Sequence, residues 1–142
     1  MALANPWKSY RQVALQTAPP GQLVLLLYEG AIRFLERSLA GFAQDDPAQC
    51  NATISNNVLR AQDILRELDG ALNVGEGGPL AQTLRGLYQY FDRRLTQSNL
   101  RKEAEGIQEV LQRLTVLRDA WTAMLRGEGQ ASPTMIAPLV AA

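Results

Sequence analysis

The chain's 142 residues are 46% apolar and 20% charged, a globular balance that excludes a largely disordered protein. Lysine plus arginine and aspartate plus glutamate each number 14, so no net field draws in nucleic acid or an anionic membrane. Histidine is absent and Cys50 is the sole cysteine, which removes Ser-His-Asp and Cys-His catalysis, histidine-ligated zinc and any internal disulfide.

Leucine and alanine dominate and β-branched residues are scarce, a bias towards helix. Residues 1–19 hold Trp7, Tyr10, Val13 and Leu15 but are too short for a helix equal to the later ones. Pro20, Pro47 and Pro79 each precede an apolar-periodic run, where proline in the first turn costs no hydrogen bond. The first run, 21–43, carries Leu23, Leu26, Leu27, Gly30, Phe34 and Leu35 on one face, and Val24, Leu25, Tyr28 and Ile32 widen it until the first turns are apolar nearly all round. The second, 47–72, places Ile54, Val58, Ala61, Leu65, Leu68 and Leu72 at alternating spacings of four and three, a single seam. Asp46 is its expected cap. Gly75 to Gly78 reads as a flexible loop, with Gly78 capping the third helix.

A third run holds Leu80, Leu84, Leu87, Phe91, Leu95 and Ser98; its phase would bury Lys102 and Glu105, so a turn is expected near 99–102. The fourth resumes at Ile107 and runs through Val110, Leu114, Leu117 and Trp121 to a stop at Gly127 and Gly129. Short connections force antiparallel neighbours, so the expected fold is all-α, an up-down four-helix bundle over 20–127 within a single domain, 1–142. Residues 128–142, uncharged from Gln130 onward, read as a flexible tail. No stretch looks like a signal peptide or a membrane span, and a lone thiol fits a reducing cytosol.

The candidate sites are not catalytic. Asp45 with Asp46, and Glu103 with Glu105, fall at helix starts, where acids favour the helix dipole. The glycine stretch lacks the preceding strand and following lysine of a phosphate loop. No metal, cofactor or enzyme activity is expected. Arg93, Arg94, Arg101 and Lys102 gather at the end of the third helix, which fits either dipole pairing or an acidic partner. Gly30 and Gly86 inside helices are assigned to close helix packing. Tyr88 and Tyr90 point about 200° apart, which puts Tyr88 in the core beside Leu84 and Leu87 and Tyr90 at the rim. Leu59 and Ile64 widen the second helix's apolar strip, as either a broad core stripe or one wall of an outer groove.

The run from Tyr10 through Thr17-Ala18-Pro19-Pro20 to Leu27-Tyr28-Glu29-Gly30-Ala31 resembles the opening signature of the FliS family of flagellar export chaperones. The likeness continues through Glu67-Leu68-Asp69, Gly77-Gly78, Leu87-Tyr88-Gln89-Tyr90-Phe91-Asp92-Arg93-Arg94-Leu95 and Leu117-Arg118-Asp119-Ala120-Trp121. Pro19 and Glu29 stand where the family pattern has serine and aspartate.

The resemblance implies a cytoplasmic chaperone that binds the disordered C-terminal segment of flagellin, blocks premature polymerisation and delivers the subunit to the flagellar type III export gate. It also implies an N-terminal lid, here Trp7, Tyr10, Val13 and Leu15, with Tyr10 a direct contact. The groove-lining candidates are Ile54, Val58, Ala61, Ile64, Leu65 and Leu68, facing Leu84, Leu87, Tyr88 and Tyr90, with Arg93 and Arg94 as polar contacts. The seam residues fit the core equally well. A bundle adaptor binding a folded partner is the alternative, and the free protein is either a monomer or a weak homodimer. Neither nucleic acid nor membrane insertion is expected.

Overall fold

The computed structural model describes residues 20–127; the lid residues Trp7, Tyr10, Val13 and Leu15 and the tail 128–142 lie outside the described residues. Four helices succeed one another: α1 (Pro20–Gly41), α2 (Pro47–Gly70), α3 (Val74–Arg101) and α4 (Ala104–Leu125). Each packs against its neighbour in sequence, and α1 also packs against α4, which closes the bundle. The fold is all-α, as the periodicity predicts.

Local chemistry sets the boundaries. Asp46 is extended and its side chain accepts a bond from the Gln49 N–H at 3.3 Å, while Pro47 starts α2 with no donor to lose. The glycine stretch departs from expectation. Asn73 accepts from the Glu76 N–H at 3.1 Å and its own amide donates to the Glu76 carboxylate at 3.2 Å. That reciprocal pair stabilises an extra helical turn from Val74. Only Gly78 leaves the helix, at φ 60° and ψ −144°, a conformation open to glycine. Pro79 then opens the main part of α3.

At the other end of α3 the backbone turns at Lys102, which is left-handed at φ 53°. An L-residue there costs roughly 1–2 kcal/mol. The Lys102 ammonium offsets this by donating to the Asn99 carbonyl at 2.7 Å and its side-chain oxygen at 2.6 Å. Buried Ser98 donates to the Glu103 carbonyl across the same turn. The predicted seam break therefore falls where Lys102 must stay wet.

The core runs the length of the bundle, from Leu27 and Leu68 to Ile54, Leu95 and Ile107. Buried Gln62 ties α2 to α3 by donating to the Asp92 carbonyl at 3.2 Å and the Thr96 hydroxyl at 2.8 Å. Gly30 is buried in α1.

The glycines that permit close approach include Gly41 and Gly106, but not Gly86. A Cβ on Gly106 would stand 2.8 Å from the Ser98 hydroxyl, and one on Gly41 2.9 Å from Thr53 Cγ2. A Cβ on Gly86 meets nothing within 4 Å. The packing expected at Gly86 is thus corrected, because its face of α3 is turned to solvent. Gly86→Ala is expected to stabilise the bundle by about 0.5–1 kcal/mol by lowering backbone entropy in the unfolded chain. Gly106→Ala should cost about 1–3 kcal/mol through overpacking. Urea denaturation of both variants followed by circular dichroism checks the opposite signs.

Candidate binding surface

Helical spacing carries the seam of α2 inward. Ile54, Val58, Ala61, Ile64, Leu65 and Leu68 are all buried at 2% exposure or less and belong to the bundle core. Leu84 and Tyr88 also point inward, whereas Leu87 is half-buried against the core.

One cavity opens between α2 and α3. It measures about 280 Å³ and is lined by Leu65, Arg66, Asp69, Tyr88, Gln89, Asp92 and Arg93. The floor is apolar and the rim charged. Two of its charges are already engaged: Arg85 Nε holds Asp69 at 3.1 Å, and Arg66 Nη1 holds Asp63 at 3.1 Å. Asp92 Oδ1 is screened from solvent and accepts no hydrogen bond among the described residues; the Arg66 guanidinium faces it at 3.6 Å. Arg93 is exposed and makes no ion pair among the described residues. The exposed part of the Asp92 side chain leaves the rim able to receive a donor, and exposed Arg93 an acceptor.

Beneath the cavity the Tyr88 and Tyr28 hydroxyls meet at 2.5 Å, with ring centroids 6.4 Å apart. Burial pushes the Tyr28 phenol up to about 12, with the hydrogen bond from Tyr88 acting in the opposite sense. Burial raises Tyr88 further, helped by the neighbouring Tyr28 and the Asp69 charge. Both stay neutral at ordinary pH.

Tyr90 and Arg94 belong to a different face. Tyr90 donates to Glu109 Oε2 at 2.6 Å, Arg94 Nε donates to Glu109 Oε1 at 3.0 Å, and Arg113 lies 5.6 Å above the Tyr90 ring. The Tyr90 hydroxyl and the Arg94 guanidinium hold the Glu109 carboxyl below its usual range. This clasp joins α3 to α4. The wall expected from Leu84, Leu87, Tyr88 and Tyr90 is therefore divided, and the basic cluster is dispersed: Arg94 serves Glu109, Lys102 serves Asn99, and Arg93 alone reaches the cavity.

Arg66, Asp69, Gln89 and Asp92 do not stand out as site residues in the sequence. The spacing of Arg85, Gln89, Asp92 and Thr96 carries a signal, since steps of four, three and four mark a polar stripe parallel to the seam. Among the described residues no group of three or more histidine, cysteine, aspartate or glutamate side chains could hold a metal. No described helix is long and apolar enough to cross a membrane.

The family described as Flagellar protein FliS matches residues 3–128. The chain is 34% identical over 128 residues to the Flagellar secretion chaperone FliS of Bacillus subtilis, covering 90% of this chain and 92% of that protein. It is 34% identical over 125 residues to the protein of the same name from Salmonella typhimurium, covering 85% and 90% respectively. With the Escherichia coli protein of that name it shares 30% identity over 141 residues, covering 96% and 97%. These matches take in both the cavity-bearing pair of helices and the Tyr28–Tyr88–Trp121 cluster. The chain belongs to the FliS family of flagellar proteins.

Proposed function

We propose that this protein is a cytoplasmic secretion chaperone for flagellin. The observation that carries the reading is its near full-length likeness to relatives named as flagellar secretion chaperones. The client segment is the disordered C-terminal part of flagellin, and its capture prevents early polymerisation and hands the subunit to the export apparatus. Binding, with no chemical step, is the whole of the task.

The cavity between α2 and α3 suits such a client. An apolar side chain from a helical client turn would reach Leu65 and Tyr88, while its backbone or polar neighbours meet Asp92, Gln89 and Arg93. Ile54, Val58, Ala61, Ile64, Leu68 and Leu84 support that floor from within, with Leu87, Tyr90 and Arg94 on the flank facing α4. In this reading Tyr10 and the rest of the lid, Trp7, Val13 and Leu15, cover part of the client surface until the client arrives. Coupled folding of such a segment typically buries about 1,000–3,000 Å² and forfeits roughly 2–5 kcal/mol in ordering, so many modest contacts share the load.

Calorimetric titration with flagellin from the same organism tests this. Intact flagellin should bind one-to-one with a negative heat-capacity change, and flagellin lacking its C-terminal segment should not bind. Arg93→Glu and Tyr10→Ala should each weaken binding at unchanged helicity. Undiminished binding of the truncated flagellin would favour the adaptor that grips a folded domain.

A further inference from the structure

The face where α2 meets α3 carries more than the cavity. Ser55, Leu59, Gln62 and Arg66 follow one another at steps of four, three and four, so they form one stripe of α2. Three of them reach α3. Ser55 Oγ donates to Asn99 Oδ1 at 3.2 Å, Gln62 Nε2 donates to the Thr96 hydroxyl at 2.8 Å, and the Arg66 guanidinium stands 3.6 Å from Asp92. Leu59 lies among these bridges, yet it is 52% exposed. On α3 the matching stripe is Gln89, Arg93, Thr96 and Leu100, and Leu100 is 79% exposed. Two large apolar residues therefore border the far end of the groove in which the cavity lies.

Leu59 is seven residues from Arg66, and Leu100 seven from Arg93, so both leucines stand about 10 Å along the groove from the cavity rim. That is two helical turns, the spacing at which a docked helix presents the same face again. The cavity alone, about 280 Å³, holds little more than a side chain, whereas capture of a disordered segment typically buries about 1,000–3,000 Å². A client must extend beyond it. In the opposite direction the α3 stripe continues through Gly86 and Gln82, which offer no apolar side chain. Between the cavity and the leucines, Gln62 and Thr96 already bond each other, so that stretch calls for no charged partner. We propose that the C-terminal segment of flagellin docks here as a helix with two apolar anchors seven residues apart, one in the cavity and one between Leu59 and Leu100. The inference rests on the flagellin reading and adds to it the second anchor and its spacing.

Calorimetric titration of the full chain with intact flagellin from the same organism tests it. Leu59→Ser and Leu100→Ser should each weaken binding about ten-fold, equivalent to 1.4 kcal/mol, with helicity unchanged. Val116→Ser, at a site 64% exposed on α4 outside the groove, should leave the affinity as it is. Serine replacing the apolar residues of the flagellin segment one at a time should find two sensitive positions seven apart. The loss at one of them should vanish in the Leu59→Ser chain, as expected of residues in contact. Unchanged affinity in either leucine variant, or sensitive positions at another spacing, overturns the second anchor and leaves the flagellin reading standing. So does an equal loss from Val116→Ser. Failure of the unaltered chain to bind flagellin overturns both. A homodimer that Leu59→Ser dissociates, with flagellin affinity undiminished, gives the leucines to a second copy and overturns the proposal too.

Discussion

Raising the pH from 10 to about 12 is expected to remove about 5 kcal/mol of stability and unfold the bundle. Tyr28 and Tyr88 are buried with hydroxyls that bond only each other among the described residues, and burial lifts Tyr28 from the ordinary 10.0 to about 12 and Tyr88 above that. The sign depends on which state ionises first. Below pH 10 both states hold both phenolic protons and the stability is fully present. Above it the unfolded chain releases them while the folded chain cannot, so stability falls as pH climbs towards the folded values. Each tyrosine contributes about 1.4 kcal/mol per pH unit, and two tyrosines across two units give the figure above. Typical domains have only about 5–15 kcal/mol in total. Phenolate absorbance and helical ellipticity recorded together provide the check, since these two phenols should titrate only as helix is lost. Titration of all four tyrosines near pH 10 with helicity intact would refute it. Tyr28→Phe with Tyr88→Phe should flatten the alkaline limb.

The same pair shows what could be read without a structure. The 200° divergence of Tyr88 and Tyr90 comes from helical geometry alone, and it separates a core tyrosine from the one that clasps Glu109. Helix starts were legible where one residue decides them, as at Asp46-Pro47. They were less so where two distant side chains cooperate: glycine content at 75–78 argues for a loop, and only the reciprocal Asn73–Glu76 bonding turns it into helix. The seam of α2 was visible, but periodicity cannot tell an apolar residue that meets another helix from one that meets a partner. Arg66, Asp69 and Asp92 posed the opposite difficulty. Charges on a helix read as a solvated face, and what makes them a cavity rim is the gap between α2 and α3. Gly86 resembled Gly106 in sequence because the distance to a neighbouring helix leaves no local trace.

Trp121→Ala is expected to cost about 3–5 kcal/mol, the range for emptying an aromatic site in a packed core. Trp121 is 5% exposed, and its ring meets Tyr28 edge-on at 6.3 Å. Its indole N–H donates to the Gly21 carbonyl at 2.9 Å, which pins the last turns of α4 to the first turn of α1. Those two turns begin and end the described bundle, so the bond closes its longest loop in sequence. The loss has two parts that substitutions separate. Trp121→Phe keeps most of the apolar volume and removes the donor, and should cost about 1–3 kcal/mol for a carbonyl left short of a partner and a partly filled site. Trp121→Ala adds the cavity, which also unseats the Tyr28 ring from one of its walls. Urea midpoints at unchanged slope would report both values as stability changes. Equal losses for Phe and Ala would place the whole effect in the hydrogen bond. A loss under about 1 kcal/mol for Ala would mean that this end of the bundle collapses around the gap, and that the α1–α4 junction is held by the leucines of the seam.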